Sequence, residues 1–109
     1  MTDKIVVLVT CGNLKQAEEL AMSLVEKRLA ACVNSLPGLT SWYWWKNELT
    51  RDQEILLFIK SSREKFAELE KEIYRLHSYA VPEVIALPIV EGSENYLNWI
   101  EESLKKSDG

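Results

Sequence analysis

The chain is poor in the residues that most often announce chemistry: among 109 residues it has one histidine, two cysteines and four glycines. Gly12, Gly38, Gly92 and Gly109 stand too far apart for a dinucleotide fingerprint or a P-loop, which excludes the familiar phosphate cradles. There is no G-x-S-x-G elbow, and a Ser–His–Asp triad would have to be assembled from unrelated residues. Hydrolase chemistry therefore has no support. Cys11 and Cys32 lack CxxC spacing and make no disulfide framework. Basic charge is also short, with 13 Lys+Arg against 17 Asp+Glu and a net charge of −4. The basic residues are scattered among carboxylates, which argues against a nucleic-acid partner. The longest apolar runs, such as residues 5–9 and 55–59, fall far below the ~20 residues of a membrane-spanning helix. No membrane partner is expected. Met1-Thr2-Asp3-Lys4 lacks the pattern of a secretory signal, and with two unpaired thiols the expectation is a cytoplasmic protein.

What is present reads as one domain over residues 1–109, with 47% hydrophobic and 28% charged residues, a globular balance. Residues 4–10 are dense in β-branched side chains with no polar face, as in a central strand covered on both sides. Asn13 is placed to cap a helix whose Leu14, Ala17, Leu20, Ala21, Leu24 and Val25 recur at helical spacing. Residues 32–36 form a short strand that Pro37-Gly38 turns or bulges, and pairing resumes at residues 40–45. A polar turn at Lys46-Asn47-Glu48 and the apolar residues 55–59 complete a long hairpin. Ser61-Ser62-Arg63-Glu64 offers a capping box for a helix carrying Phe66, Leu69, Ile73 and Leu76 inward, ending near His77-Ser78. Residues 84–90 are extended, and Pro88 must lie at an edge or bulge. Gly92-Ser93 opens a last helix with Tyr96, Leu97, Ile100 and Leu104 inward, followed by a solvated tail over residues 105–109. The order predicts an α+β, ferredoxin-like βαββαβ sandwich with a long β-hairpin and an extra C-terminal helix.

Helices on one face of the sheet leave the other apolar face needing a cover. Trp42-Tyr43-Trp44-Trp45 alternates large side chains to both faces of its strand. Self-association covers that surface, and so does a long hairpin folding over its own chain.

Metal ligation is the chemistry that the polar residues suit best. His77 at a helix end, Glu83 six positions on, and a thiol from Cys32 or Cys11 make a borderline-soft donor set for copper or zinc. A histidine capping a helix end by its favourable dipole is the competing account. Cys32 with His77 is the one pair that resembles a nucleophile and base, against which a free cysteine as a small buried hydrophobe is the ordinary alternative. Lys60, after an apolar strand, either pairs with a carboxylate such as Glu83 or reaches water.

Ala31-Cys32-Val33-Asn34, Ser41-x-Tyr43-x-Trp45, Glu54-(x)5-Lys60, His77-x-Tyr79-x-Val81-Pro82-Glu83 and Tyr96-Leu97-x-Trp99-Ile100 stand in order along the chain. Together they closely resemble the CutA divalent-cation-tolerance family over nearly the whole length. The resemblance implies a ferredoxin-like protomer assembled into a homotrimer through its hairpins, similar in fold to PII-type signalling proteins, and non-catalytic. It implies a role in divalent-metal tolerance with copper the expected ion, a polar pocket at Tyr43, Trp45, Lys60, His77, Tyr79 and Glu83, and a thiol at Cys32. The expected metal ligands are His77, Glu83 and Cys32. A PII-like sensor taking a small anionic ligand beside Lys60 and docking a partner protein is the alternative. The chain departs from the family pattern at Asn47, where Gly is frequent, at Ser78 in place of Pro, and at Val9, where some members carry a cysteine.

Overall fold

A computed structural model describes residues 2–105; the expected tail over residues 106–109 lies outside the described residues. Strand β1 (Lys4–Cys11) leads to helix α1 (Leu14–Glu26), then to the strands β2 (Cys32–Trp45) and β3 (Glu48–Ser62). A 3-10 turn (Arg63–Lys65), α2 (Phe66–Leu76), β4 (Ile85–Pro88) and α3 (Glu94–Leu104) follow. The sheet order is β2-β3-β1-β4 with every neighbouring pair antiparallel. This is the ferredoxin-like order that two crossovers around a hairpin produce.

Alternation along the strands decides the two faces. Ile5, Val7, Val9 and Cys11 on β1, with Ile55, Leu57 and Ile59 on β3, are buried against Ala17, Leu20 and Leu24 of α1 and Leu69 and Ile73 of α2. The opposite face carries Val6 and Leu8, Leu56 and Phe58, and Ile85 and Leu87 in register across β1, β3 and β4. Helix α3 packs Ile100 and Leu104 with Ala31, and buried Lys4 ties it to β1 by a 2.7 Å bond to Glu101. The rest of this face is only partly covered: Leu36, Ile85 and Leu87 are exposed.

Local chemistry explains most of the boundaries. Asn13 accepts from the Gln16 N–H at 2.9 Å and starts α1 as its cap. The β2–β3 connection is two residues, Lys46 and Asn47, both at positive φ, and that turn geometry matches the twist of paired strands. Asn tolerates the left-handed region, so Asn47 serves where a glycine is expected. Pro37-Gly38 is a bulge inside one continuous strand: the register shifts between Leu36 and Leu39, and Gly38 has φ +84°. Pro88 ends the edge strand β4.

Three expectations fail. The capping box does not form, because Ser61 Oγ donates to the Leu29 carbonyl at 2.7 Å and Ser62 makes no side-chain cap; tertiary contacts take the hydroxyl that the box requires. Tyr96 does not point inward. It is exposed and stacks on Trp99, because α3 has only the end of a sheet to cover. Leu14 and Val25 are likewise exposed at the two ends of α1.

Candidate functional site

One polar cluster forms where β1 and the body of β3 end and the chain leaves α2. The helix stops at His77, whose N–H bonds the Ile73 carbonyl, and the next residues cross the sheet end toward β4. The His77 ring is buried, with Nε2 2.7 Å from the Thr10 carbonyl and Nδ1 accepting the Tyr79 N–H at 3.1 Å. A carbonyl only accepts, so Nε2 carries the proton and the imidazole is neutral. Both nitrogens are thereby engaged within the protomer. The Tyr79 ring lies tilted against the imidazole at 4.6 Å between centroids, and its hydroxyl donates to Glu54 Oε2 at 2.9 Å. Gly12 makes room for that hydroxyl: a Cβ there would stand 3.2 Å from it.

The charges here are negative, and one of them is shielded from water. Glu54 is buried. Loss of hydration, then the Glu54 charge, raises the Glu83 carboxyl above its ordinary value, although the residue as a whole is exposed. Burial and the same carboxylate push the Cys11 thiol up to about 11, so it is a protonated, packed thiol at neutral pH. Tyr79 is raised by lost hydration and by donating to Glu54. Further out on the hairpin, Tyr43 donates to Asp52, a bond that also raises the phenol.

The expected site residues fall into separate places. His77, Tyr79 and Glu83 share the sheet end with Glu54, and Tyr43 stands on the adjoining part of the hairpin. Cys32 and Lys60 are directly opposite each other near the other end of the sheet. The Lys60 ammonium donates to Asn34 Oδ1, and the Cys32 thiol lies 3.8 Å from the same oxygen. Lys60 lies six positions along β3 from Glu54, roughly 20 Å in an extended strand. Cys32 therefore shares no ion with His77 inside one protomer, and Lys60 has a neutral amide for a partner in place of Glu83. Trp45 is exposed at the hairpin tip, with the Lys46 ammonium 5.8 Å from its ring centroid. Among the described residues no three His, Cys, Asp or Glu side chains converge to hold a metal ion. Sequence reasoning quoted Glu54 only within a family motif, without a place in the pocket, and missed Gly12 as part of the site. The signal available for Glu54 was a lone carboxylate directly before the apolar run of a central strand.

Comparison with known proteins decides the family. The model of the CutA1 divalent ion tolerance protein family matches residues 5–103. The chain belongs to that family. It is 49% identical over 98 residues to the divalent-cation tolerance protein CutA of Thermus thermophilus, covering 90% of this chain and 95% of that one. A solved structure of the T. thermophilus protein superposes with a TM-score of 0.90, covering 92% of this chain and 97% of the other at 48% identity. The CutA structure from Xylella fastidiosa gives a TM-score of 0.93 at 36% identity, with 95% and 100% covered. Mouse protein CutA is 46% identical over 94 residues, 86% of this chain but 53% of the mouse protein, so the chain spans about half the length of that relative. Family membership carries the ferredoxin-like fold and a connection to divalent-ion tolerance, and the family is described by that tolerance and by no reaction.

Proposed function

We propose that this chain works as a non-catalytic, cytoplasmic homotrimer that binds divalent metal ions, copper foremost, in clefts between subunits containing His77 and Glu83. The observation that carries this reading is the buried Glu54 carboxylate beside the His77–Tyr79 pair, with Glu83 near enough for its carboxyl to feel that charge. The two carboxylates repel each other, one of them buried, and a divalent cation supplies the missing counter-charge. One protomer brings too few ligands together, so a neighbouring subunit completes the shell. The half-bare sheet face and the projecting aromatic hairpin supply the surfaces for such a neighbour. His77 joins the shell through Nδ1 by giving up the Tyr79 N–H. Cys32, remote from this cluster, ligates only across a subunit boundary. Copper is preferred because first-row divalent ions follow that order at most nitrogen and oxygen sites. Two unpaired thiols suit the reducing cytoplasm.

Calorimetry on chelator-stripped, tag-free protein tests the reading. Cu²⁺ should bind more tightly than Zn²⁺. Glu83→Gln should weaken binding, and His77→Ala should weaken it more. Unchanged copper affinity in His77→Ala removes His77 from the shell and leaves it a helix-end residue that positions Tyr79. The second reading, a sensor for a small anion, is favoured by Lys60, whose ammonium is held by neutral Asn34. Titration with inorganic phosphate and with nucleotides separates the two.

A further inference from the structure

We propose that the groove between α1 and α2, on the face of the molecule away from the half-bare sheet surface, is a docking site for an acidic segment of another protein. The groove has a volume of about 1150 Å³ and is lined by five cations, Lys27, Arg28, Lys65, Lys71 and Arg75, against three carboxylates. That local excess of positive charge belongs to a chain whose net charge is −4. One of the three carboxylates is already committed. Glu72 is buried and accepts from Ser23 Oγ at 2.5 Å, Lys27 Nζ at 2.9 Å, and Arg75 Nε and a terminal nitrogen at 2.8 and 2.7 Å. It fixes two cations in place while their side chains stay 51% and 58% exposed, so each keeps N–H donors for an incoming carboxylate. Arg28 follows at the end of α1, where its backbone is left-handed, but its guanidinium is turned to α3 by a 3.1 Å bond to the Ser103 carbonyl, so the held cations of the groove are Lys27 and Arg75. Cations held in advance lose little freedom on binding.

Charge pattern selects the occupant. The cations are spread over the end of α1 and the length of α2, a spread that suits a length of polypeptide. Glu26 and Glu68 also line the groove and repel a uniformly charged phosphate backbone. A peptide carrying carboxylates at intervals meets the cations, and the exposed ring of Tyr74 receives its apolar side chains. Because α1 and α2 cover the opposite face of the sheet, a subunit seated on the half-bare face leaves the groove open. The inference holds whether or not the chain binds copper.

Fluorescence anisotropy of the intact protein with a dye-labelled peptide of alternating Glu and Ala tests it. Binding should saturate at low salt and weaken as salt rises. Lys65→Glu combined with Lys71→Glu should lower affinity by about tenfold or more, with light-scattering mass and circular dichroism unchanged. Lys71→Gln alone, at an exposed position, should give a smaller loss and serves should the double variant misfold. Absence of saturable binding overturns the proposal. So does undiminished affinity in a folded variant, or equal affinity for a Lys-Ala peptide or a single-stranded oligonucleotide.

Discussion

Two buried carboxylates dominate the chemistry of single residues, and their neighbours give them opposite roles. Glu72 is surrounded by cations: hydrogen bonding from Arg75, then from Ser23 and Lys27, holds its carboxyl well below the ordinary value of 4.5 against the opposing effect of burial. The folded-state pKa therefore lies below the unfolded one. The stabilisation is complete above about pH 4.5 and is lost as pH falls through the acid range toward the folded-state value. Urea midpoints at fixed protein concentration should fall on acidification, and Glu72→Gln should flatten that fall. At neutral pH the substitution should cost about 2 kcal/mol, less than a fully buried pair because both cations are half exposed. Glu54, by contrast, meets a phenol and another acid. Tyr79→Phe removes its donor and should destabilise by about 1–3 kcal/mol, because a buried carboxylate loses a hydrogen bond. Thermal denaturation of the two proteins at pH 7 checks this. Gly12→Ala presses on the same hydroxyl and should cost less, since Tyr79 can shift by a few tenths of an ångström.

The long hairpin is the element on which the architecture turns. Strand β2 runs 14 residues and β3 15, well beyond the body of the sheet, and the bulge at Pro37-Gly38 adds local twist where the hairpin leaves it. Gly38 has nothing within 4 Å of an added Cβ, so its requirement is purely conformational. Gly38→Ala should cost about 1 kcal/mol, read as a lowered urea midpoint with an unchanged m-value. At the tip Asn47→Gly should be close to neutral and Asn47→Val clearly destabilising, because a β-branched residue resists φ +63°. Helix α3 has a different character. It is anchored by Ile100, Leu104 and the pair that buried Lys4 makes with the half-exposed Glu101 carboxylate, yet covers only one end of the face that β1, β3 and β4 leave bare.

At the scale of the molecule, extents of 48 × 31 × 23 Å describe a body with a projection, not a sphere. Trp42, Trp44, Trp45 and Leu49 on that projection are each at least 60% exposed, a density of apolar surface that isolated domains seldom present to water. The proposed trimer accounts for it together with the bare face around Phe58. Light scattering should return a mass three times the 12.6 kDa of the chain. Trp44→Glu and Phe58→Asp should each shift that mass toward the monomer, because an unpaired charge desolvated at an interface is costly. A monomer at micromolar concentration defeats both the trimer and the inter-subunit metal site.

Strand β1, both crossover helices, the hairpin and its bulge were legible in the amino-acid order because each rests on a local rule: β-branched density at residues 4–10, Asn13 before a helical stripe, Pro37-Gly38 and Lys46-Asn47 at the turns. The family motifs likewise belong to the sequence. What the sequence leaves open is which polar groups meet, since that depends on strand register and on where loops cross. Register sets Cys32 opposite Lys60 and six residues from Glu54, which divides a donor set that spacing alone had joined. The chain crossing from α2 to β4 brings Tyr79 onto Glu54 and closes both nitrogens of His77. Ser61 turns to Leu29 for the same reason, and a capping box consistent with its own four residues gives way to a partner 32 positions away. Local propensity is decided within a turn of the chain. The pairing of polar atoms is decided by packing, because a buried donor or acceptor takes whichever partner the tertiary structure places within reach.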